Sequence, residues 1–283
     1  MNENRIIPRK IGLIAGKGDL PMIVAETLSK QGVSVYTIGF RGLTSPRLRL
    51  YSAEMRWVTL GQIGLIIEHL KSWEAKHAAL AGLIKHKNIF AGILFDALAK
   101  RLFLQMKDQR ADSILGAFAG QLKQEGIELL PTGDIIPDCI ITEGLLAGEA
   151  LTHGELEDVR FGFRIAKGVA LHDVGQTIVV KNRAVIAVEA MEGTDRCILR
   201  AGRIAGKGCV VIKVAKPKQD KRFDVPVIGE RTVAMMRKAG SAVLAVEAGS
   251  TLLLRKERVT LSATRKKIKI YGIPPFLTEG PNE

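Results

Sequence analysis

The sequence predicts an α/β fold: a Rossmann-like, doubly wound N-terminal domain followed by a second, strand-rich α/β C-terminal domain. In the first half, short apolar runs alternate with amphipathic stretches, which is typical of a parallel sheet covered by helices. In the second half, β-branched apolar runs follow one another between turn residues. The pattern loosens between the two halves. We therefore expect domains at 1–132 and 155–283, with a linker or crossover over 133–154.

The chain opens with a predicted β-α-β unit. The apolar run at 10–15 predicts a strand, which leads through the Gly16-Lys17-Gly18 turn into a helix with Pro21 in its first turn. A second strand is predicted at 33–38. Such a turn can present backbone N–H groups to a phosphate. The dinucleotide fingerprint is incomplete, because Pro21 replaces its third glycine and no acidic residue ends the second strand, so the glycines alternatively form only a tight turn.

The rest of the first half continues the alternation of strand and helix. A strand near 55–59 is followed by an amphipathic helix over Gln62–His77, whose apolar face includes Trp73. The remaining elements predicted here are a strand at 79–84, helices over most of 95–125 and a strand at 127–130.

The second half is predicted to hold two helices, at Glu155–Leu171 and Thr232–Lys238, and a hairpin at Lys181-Asn182-Arg183. The predicted strands are 177–180, 184–190, 209–214, 242–248 and 251–254. Two of these strands contain the near-identical segments A-V-I-A-V-E-A and A-V-L-A-V-E-A. This similarity would place Glu189 and Glu247 at matching strand ends, and the alternative is a chance similarity of two buried strands.

Composition and charge limit the classes of partner. Hydrophobic residues at 47% and charged residues at 25% are ordinary values for a folded chain. There is no run of 18 apolar residues and no signal-peptide core, so we expect a soluble, cytoplasmic protein. The three cysteines lack metal-type spacing and are expected to be reduced thiols. The net charge of +13 suggests an anionic partner: nucleic acid, a membrane face or a phosphorylated small molecule. Aromatic residues do not interleave with the basic ones, which argues against single-stranded nucleic acid.

The segment Ala187–Thr232 alternates carboxylates with cations and is broken by glycines and prolines. This pattern predicts loops at strand ends that hold a charged ligand. A diphosphate ester resists hydrolysis because its anionic oxygens repel the attacking water. A catalyst needs positive charge on those oxygens, usually from a divalent cation, and a carboxylate that holds the metal or orients the water.

Candidate groups for that chemistry lie within this segment. The oxygen ligands suited to Mg²⁺ are Glu189, Glu192, Asp195 and Asp224. The cations that could bind phosphates are Lys213, Lys216, Lys218, Lys221 and Arg222. The alternative is that each carboxylate is a surface or salt-bridged residue, and that Gly193-Thr194-Asp195 is an ordinary turn that caps a following helix. Asp224, two residues before a proline, is expected in an extended segment at a strand end.

Five motifs together carry a family resemblance, in the same order between Lys10 and Gly272. They are G-L-I-A-G-K-G-D-L-P, D-V-G-Q, A-V-E-A-M-E-G-T-D, K-x-A-K-P-x-Q-D-x-R-F-D-V-P-V-I-G and A-V-E-A-G-S-T-L-L-L. The chain thereby resembles the LpxI-type UDP-2,3-diacylglucosamine pyrophosphatases. The resemblance implies water attack on the α-phosphorus of UDP-2,3-diacylglucosamine, which gives UMP and 2,3-diacylglucosamine 1-phosphate (lipid X) in lipid A biosynthesis.

The resemblance also implies a cofactor, partners and site residues. It implies Mg²⁺ or another divalent cation, a homodimer, possible peripheral association with the cytoplasmic face of the inner membrane, and no nucleic acid. By motif, the catalytic acids are Asp224 and Asp195, and these two with Glu192 are the metal ligands. The implied substrate-binding residues, in a cleft between the two halves, are Gly16, Lys17, Gly18, Gly82, Gln176, Gly193, Thr194, Lys216 and Gln219. The alternatives are a non-catalytic nucleotide-sugar or lipid-binding protein and a nucleic-acid binder.

Overall fold

The computed structural model describes residues 7–84, 94–106, 111–217 and 219–274. These residues divide into two compact units. Unit 1 comprises the described residues up to Pro137 together with the short segment Asp220–Asp224, and unit 2 comprises the remainder. Each unit contains its own sheet with helices, so the predicted α/β fold with two α/β units is confirmed.

Unit 1 is built on a five-stranded parallel sheet in the order β3-β2-β1-β4-β5. Its elements are β1 (Lys10–Ala15), α1 (Leu20–Lys30), β2 (Ser34–Phe40), β3 (Glu54–Val58), α2 (Ile63–Ser72), β4 (His77–Ala81), α3 (Ala97–Gln105), α4 (Ala111–Gln124), β5 (Glu128–Leu130) and α5 (Thr132–Ile135). The central strand β1 is buried from Ile11 to Ala15, as expected for a parallel strand covered on both faces.

The core of unit 1 holds the segment that returns from the second half of the sequence. Ile14 lies in register with Ile38 and Leu80 on the two neighbouring strands. These three side chains belong to a buried apolar cluster, and Phe223 of the returning segment packs against it. An apolar anchor in the core therefore fixes the Asp220–Asp224 segment within unit 1.

Helix α2 is shorter than the sequence predicts. The predicted helix extended to His77, whereas α2 ends at Ser72 and His77 begins β4. Glu74 has a φ of +53°, and the N–H of Ala75 donates to the carbonyl of Leu70 at 2.9 Å, which closes the helix end. Trp73 is buried at this turn, so its apolar side chain does pack in the core.

Two loops at the ends of β1 and β4 bind each other through their backbones. The N–H of Gly16 donates to the carbonyl of Ala81 at 2.8 Å, and Lys17 and Leu83 exchange two hydrogen bonds of 3.0 and 2.9 Å. Gly82, between them, has a φ of +94°. A Cβ atom at Gly82 would lie 2.7 Å from Cγ of Pro21 and 2.9 Å from the carbonyl oxygen of Lys17. Glycine at this position is therefore required by both conformation and space.

Unit 2 contains a mixed six-stranded sheet in the order β6-β13-β11-β9-β7-β8 and a two-stranded sheet of β10 and β12. Its elements are β6 (Gly144–Ala147), α6 (His153–Leu171), β7 (Thr177–Lys181), β8 (Ala184–Val188), α7 (Thr194–Ala205), β9 (Val210–Lys213), β10 (Val227–Ile228), α8 (Glu230–Ala239), β11 (Val243–Glu247), β12 (Leu252–Leu253), α9 (Lys256–Arg265) and β13 (Lys269–Ile273). Strand β7 runs antiparallel to both of its neighbours, β8 and β9.

The predicted hairpin between β7 and β8 is confirmed. Asn182 and Arg183 have φ values of +51° and +56°, the conformation of a two-residue hairpin turn. The buried carboxylate of Asp158 accepts hydrogen bonds from both of their backbone N–H groups, at 3.0 and 2.6 Å. This turn sets the register of β7 against β8.

Some segments differ from the sequence-based expectations. The expected loops of Ala187–Thr232 are wrong over Thr194–Ala205, which is the helix α7. Its buried face of Cys197, Ile198 and Ala201 was masked in the sequence by the many charges on the opposite face. Residues 133–154 contain most of α5 as well as strand β6, which pairs antiparallel with β13. None of the helices described here has the length and apolarity that a membrane crossing requires.

Substituting Gly82→Ala is expected to destabilise the protein by about 1–3 kcal/mol, because the new methyl group adds backbone strain and a clash with Lys17 and Pro21. Urea unfolding followed by circular dichroism measures this change.

The matched control is Gly42→Ala. Gly42 also has a positive φ, +74°, but a Cβ there would meet nothing within 4 Å. We expect the smaller loss at Gly42, and equal losses for the two variants would contradict a tight contact at Gly82.

Candidate active site

The loops after β1 and β4 lie where the strand order of unit 1 changes direction, which is where open α/β sheets bind ligands. The backbone N–H groups of Gly16 and Lys17 are already used by Ala81 and Leu83. Lys17 and Gly18 are exposed, in contrast to the buried Gly16. Gly16 and Gly82 thus shape the loops, while the Lys17 side chain and the start of α1 remain for a ligand.

Asp224 belongs to unit 1 and follows a turn that is stabilised by Asp220 and Arg222, two residues of the same sequence motif. The carboxylate of Asp220 accepts hydrogen bonds from the Arg222 guanidinium, with Nη2 at 2.6 Å and Nε at 2.9 Å. The carbonyl of Asp220 accepts from the N–H of Asp224 at 2.9 Å. The hydrogen bonds from Arg222 hold the pKa of Asp220 below its ordinary value, which keeps this carboxylate ionised. Asp220 therefore positions the backbone of Asp224.

The extended conformation expected for Asp224 itself stays a prediction, and a turn directly precedes this residue. Residues 221–223 form a turn, because the Asp220–Arg222 pair and the half-buried anchor Phe223 fold this segment back. The Oδ2 atom of Asp224 is buried. Of the expected phosphate-binding cations nearby, Arg222 is engaged by Asp220, Lys221 is exposed, and Lys218 lies outside the described residues.

In unit 2, a row of polar side chains lies across the ends of three neighbouring strands of the large sheet. Thr177 in β7 lies beside Lys213 in β9 by register. Glu189 lies on the other side of Thr177, because its N–H donates to the Thr177 carbonyl at 2.8 Å. The register of β7 with its two neighbours thus brings a carboxylate, a hydroxyl and an ammonium together.

Thr194, the first residue of α7, connects this row. Its hydroxyl donates to Oε1 of Glu189 at 2.9 Å and accepts from Nζ of Lys213 at 3.0 Å. Gly193, with a φ of +83°, directs the chain into the helix. The first backbone N–H groups of a helix have no partner within the helix. The helix start and Lys213 together therefore form a place suited to a phosphate.

Glu189 differs from the other carboxylates of unit 2. Its Oε2 atom is buried and receives no hydrogen bond from the described part of the chain, so that its single side-chain bond there is the one from Thr194. A buried polar atom without a partner costs about 1–3 kcal/mol, and more when it is charged. A hard cation would remove this cost. Glu189 therefore fits a divalent metal by its donor chemistry.

Glu192 and Asp195, the metal ligands predicted in this unit, are both engaged by arginines. Glu192 accepts from Arg200 at 2.7 Å and from the N–H of Ala190 at 3.1 Å. Its pKa lies below the ordinary value because its own backbone N–H and Arg200 donate to the carboxylate. Asp195 accepts a short hydrogen bond from Arg231. In the described residues no three His, Cys, Asp or Glu side chains are grouped as a metal site.

The remaining predicted substrate-binding residues of unit 2 form a second group. The side-chain oxygen of Gln219 accepts from the N–H of Lys216 at 2.9 Å, and Nζ of Lys216 pairs with Asp173 at 2.7 Å. The carbonyl of Gln176 accepts from the N–H of Val214 at 2.9 Å. Oε1 of Gln176 and Nε2 of Gln219 are buried without a partner among the described residues. One acceptor and one donor are thus available for a polar, uncharged group.

The structure also identifies residues that the sequence left unselected. Glu189 and Lys213 stood only among several candidate charges, and Thr177 was not considered. The missing signal is strand register, because these residues are neighbours only once β7 pairs with both β8 and β9. The predicted site residues divide between the units: Gly16, Lys17, Gly18, Gly82 and Asp224 lie in unit 1, and the others lie in unit 2.

Several known proteins are similar to this chain. It is 27% identical over 278 residues to "UDP-2,3-diacylglucosamine pyrophosphatase LpxI" of Caulobacter vibrioides, covering 94% of this chain and 98% of that protein. Among solved structures, it is similar to the biotin carboxylase domain of Hydrogenobacter thermophilus 2-oxoglutarate carboxylase, at 14% identity and a TM-score of 0.29 over 70% of this chain and 41% of that one. It is also similar to Kluyveromyces lactis urea carboxylase, at 17% identity and a TM-score of 0.27 over 60% of this chain and 12% of that one. The chain thus spans less than half the length of these two solved chains.

Two family models match consecutive parts of the chain. The LpxI N-terminal domain matches residues 10–139, and the LpxI C-terminal domain matches residues 142–271. The boundary between the matches lies close to Pro137, the last residue of unit 1 before the returning segment. The two matches together span nearly all of the described sequence, and the chain belongs to the LpxI family.

Proposed function

We propose that this protein hydrolyses the diphosphate of UDP-2,3-diacylglucosamine in lipid A biosynthesis. Water attacks the α-phosphorus, and the products are UMP and 2,3-diacylglucosamine 1-phosphate, lipid X. The similarity to the Caulobacter vibrioides pyrophosphatase, along almost the whole of both chains, supports this activity. The observation that carries it is the Glu189–Thr194–Lys213 chain of hydrogen bonds at the start of α7, because it joins a phosphate-binding place to a carboxylate.

The residues of unit 2 bind and orient the substrate. Lys213 and the backbone N–H groups at the start of α7 bind the diphosphate oxygens, and the Thr194 hydroxyl is fixed in direction by the hydrogen bond that it donates to Glu189. Gln176 and Gln219 hydrogen-bond polar groups of the uridine or the sugar through their buried side-chain atoms. Gly193 allows the sharp entry into the helix, and Lys216 is held in place by Asp173.

Asp224 is the proposed catalytic carboxylate. Its backbone is fixed by Asp220 and by the Phe223 anchor, which is the preorganisation that a water-orienting or metal-binding group needs. The family motif adds Asp195 and Glu192 as metal ligands, but arginines already occupy both of these carboxylates. When bound, a divalent cation such as Mg²⁺ supplies positive charge to the diphosphate oxygens.

The substrate's two acyl chains suggest where the protein works. We place it in the cytoplasm, at the cytoplasmic face of the inner membrane, as a peripheral homodimer that does not bind nucleic acid. The net charge of +13 supports the membrane part of this proposal, because each cation close to an anionic membrane surface adds about 1 kcal/mol of attraction. The dimer rests on the family resemblance alone.

Purified protein is expected to release UMP from UDP-2,3-diacylglucosamine in the presence of Mg²⁺, and to stop when the metal is removed with EDTA. Asp224→Ala should lower the rate by at least about 100-fold, because a group that orients water or holds the metal is lost. Liquid chromatography of UMP measures both effects.

The control for this experiment is Asp138→Ala, which removes an exposed carboxylate. It should keep the wild-type rate, and both variants should share the wild-type circular dichroism spectrum. Undiminished UMP release from Asp224→Ala would reject the catalytic role of Asp224. Binding of the substrate by the wild type without UMP release would leave a non-catalytic lipid-binding or nucleotide-sugar-binding protein.

Hydrolysis in ¹⁸O-labelled water identifies the phosphorus that is attacked. We expect mass spectrometry to find the label in UMP, because attack on the α-phosphorus leaves the new oxygen there. Label in the phosphate of 2,3-diacylglucosamine 1-phosphate would instead show attack on the other phosphorus.

A further inference from the structure

We infer that Glu189, and not Glu192 or Asp195, is the carboxylate of unit 2 that receives a divalent cation, and that this cation arrives together with the substrate's diphosphate. The inference rests on the proposed function for the identity of the ligand, a nucleoside diphosphate. It goes beyond that function by assigning the cation to a residue that the motif comparison did not select.

Two nearly identical segments provide an internal comparison. Glu189 follows β8 directly and Glu247 ends β11, so both stand at the carboxyl end of a strand after the residues A-V. Glu247 is neutralised by Lys167 at 3.0 Å, and it also accepts a hydrogen bond from the N–H of Ala215 at 2.9 Å. Glu189 forms no corresponding ion pair in the part of the chain that the structure describes. The same local sequence therefore gives one carboxylate that is paired with a lysine and one that keeps a buried oxygen without a donor among the described residues.

The other carboxylates beside the row are also satisfied. Both oxygens of Glu192 accept hydrogen bonds, one of them from Arg200. Asp195 is paired with Arg231. A cation at either of these residues would have to displace a guanidinium. At Glu189 it would meet an oxygen that is already buried and has no donor among the described residues, so Glu189 is the favoured ligand.

The hydrogen bonds around Glu189 specify which atom is available. Thr194 occupies Oε1, and the proton of the Thr194 hydroxyl is committed to that oxygen because Lys213 donates to Thr194 from the other side. Oε2 is left for the cation. Lys213, one hydrogen bond further along, carries a positive charge and binds phosphate oxygens instead of the metal. Cation and phosphate thus have separate, adjacent places.

One carboxylate alone is a weak metal site, and the described residues hold no group of three ligands. Mg²⁺ usually keeps several waters and is bound through one or two carboxylates together with substrate phosphates. Glu189 is therefore expected to hold the cation only when a diphosphate supplies further oxygens. Tight binding of the metal to the protein without nucleotide is not expected.

The test uses Mn²⁺ as the metal and UDP as the diphosphate, with bound Mn²⁺ measured by electron paramagnetic resonance. The wild type should bind Mn²⁺ more tightly in the presence of UDP than the protein alone or UDP alone does. Glu189→Gln keeps an oxygen for Thr194 but loses the charge, and we expect it to weaken this binding by at least about tenfold. Glu192→Gln, the matched control, should stay within about threefold, because both oxygens of Glu192 are already occupied and the change removes only a surface ion pair with Arg200.

Urea unfolding without metal separates a metal ligand from a structural carboxylate. Glu189→Gln should be at least as stable as the wild type, because it removes an uncompensated charge while keeping the bond to Thr194. A clear loss of stability would show that Glu189 supports the fold instead, and would overturn the inference.

The binding results also distinguish the two proposals. Unchanged binding of Mn²⁺ with UDP in Glu189→Gln, or its loss in Glu192→Gln alone, would overturn the role of Glu189 while leaving the hydrolysis intact. Wild-type protein that binds Mn²⁺ with UDP through Glu189 but releases no UMP from the lipid substrate would support Glu189 and overturn the proposed hydrolysis.

Discussion

The pairing of β7 with both β8 and β9 is the constraint on which the row of polar side chains in unit 2 depends. It places Thr177 between Glu189 and Lys213, and the start of α7 then adds Thr194 as the link between the two charges. A slip of one residue in either pairing would turn these side chains to the opposite face of the sheet. The Asn182–Arg183 turn, held by Asp158, fixes the β7–β8 register, so a buried structural carboxylate controls the position of a functional one.

The charges at these strand ends also show how stability and function are divided. Glu247 is neutralised by Lys167 and contributes to the fold, while Glu189 keeps a buried oxygen that the described residues do not satisfy. An unsatisfied buried group costs about 1–3 kcal/mol, a large fraction of the stability of an ordinary domain. Such a cost is typical of functional sites, where a ligand later supplies the missing partner. In unit 1, by contrast, the Asp224 turn is fully braced by Asp220.

The fold class and the first β-α-β unit could be predicted because their signals are local: an apolar strand, a glycine turn and a proline in the first turn of α1. Helix α7 was expected only as an alternative, because its surface charges and its flanking glycines hid a short apolar face. The return of Asp220–Asp224 to unit 1 depends on Phe223 finding a distant core. The difference between Glu189 and Glu247 depends on Lys167, which lies 80 residues before Glu247. A local sequence pattern reveals neither this difference nor the return of the segment to unit 1.

A crystal structure with UDP and Mn²⁺ would identify the carboxylate that holds the cation, because the anomalous signal of manganese locates the cation without assumptions about the protein. We expect a peak within coordination distance of Oε2 of Glu189 and of a diphosphate oxygen, with Arg200 still bound to Glu192. A manganese peak on Glu192 or Asp195, with Glu189 uninvolved and the arginines displaced, would contradict this expectation.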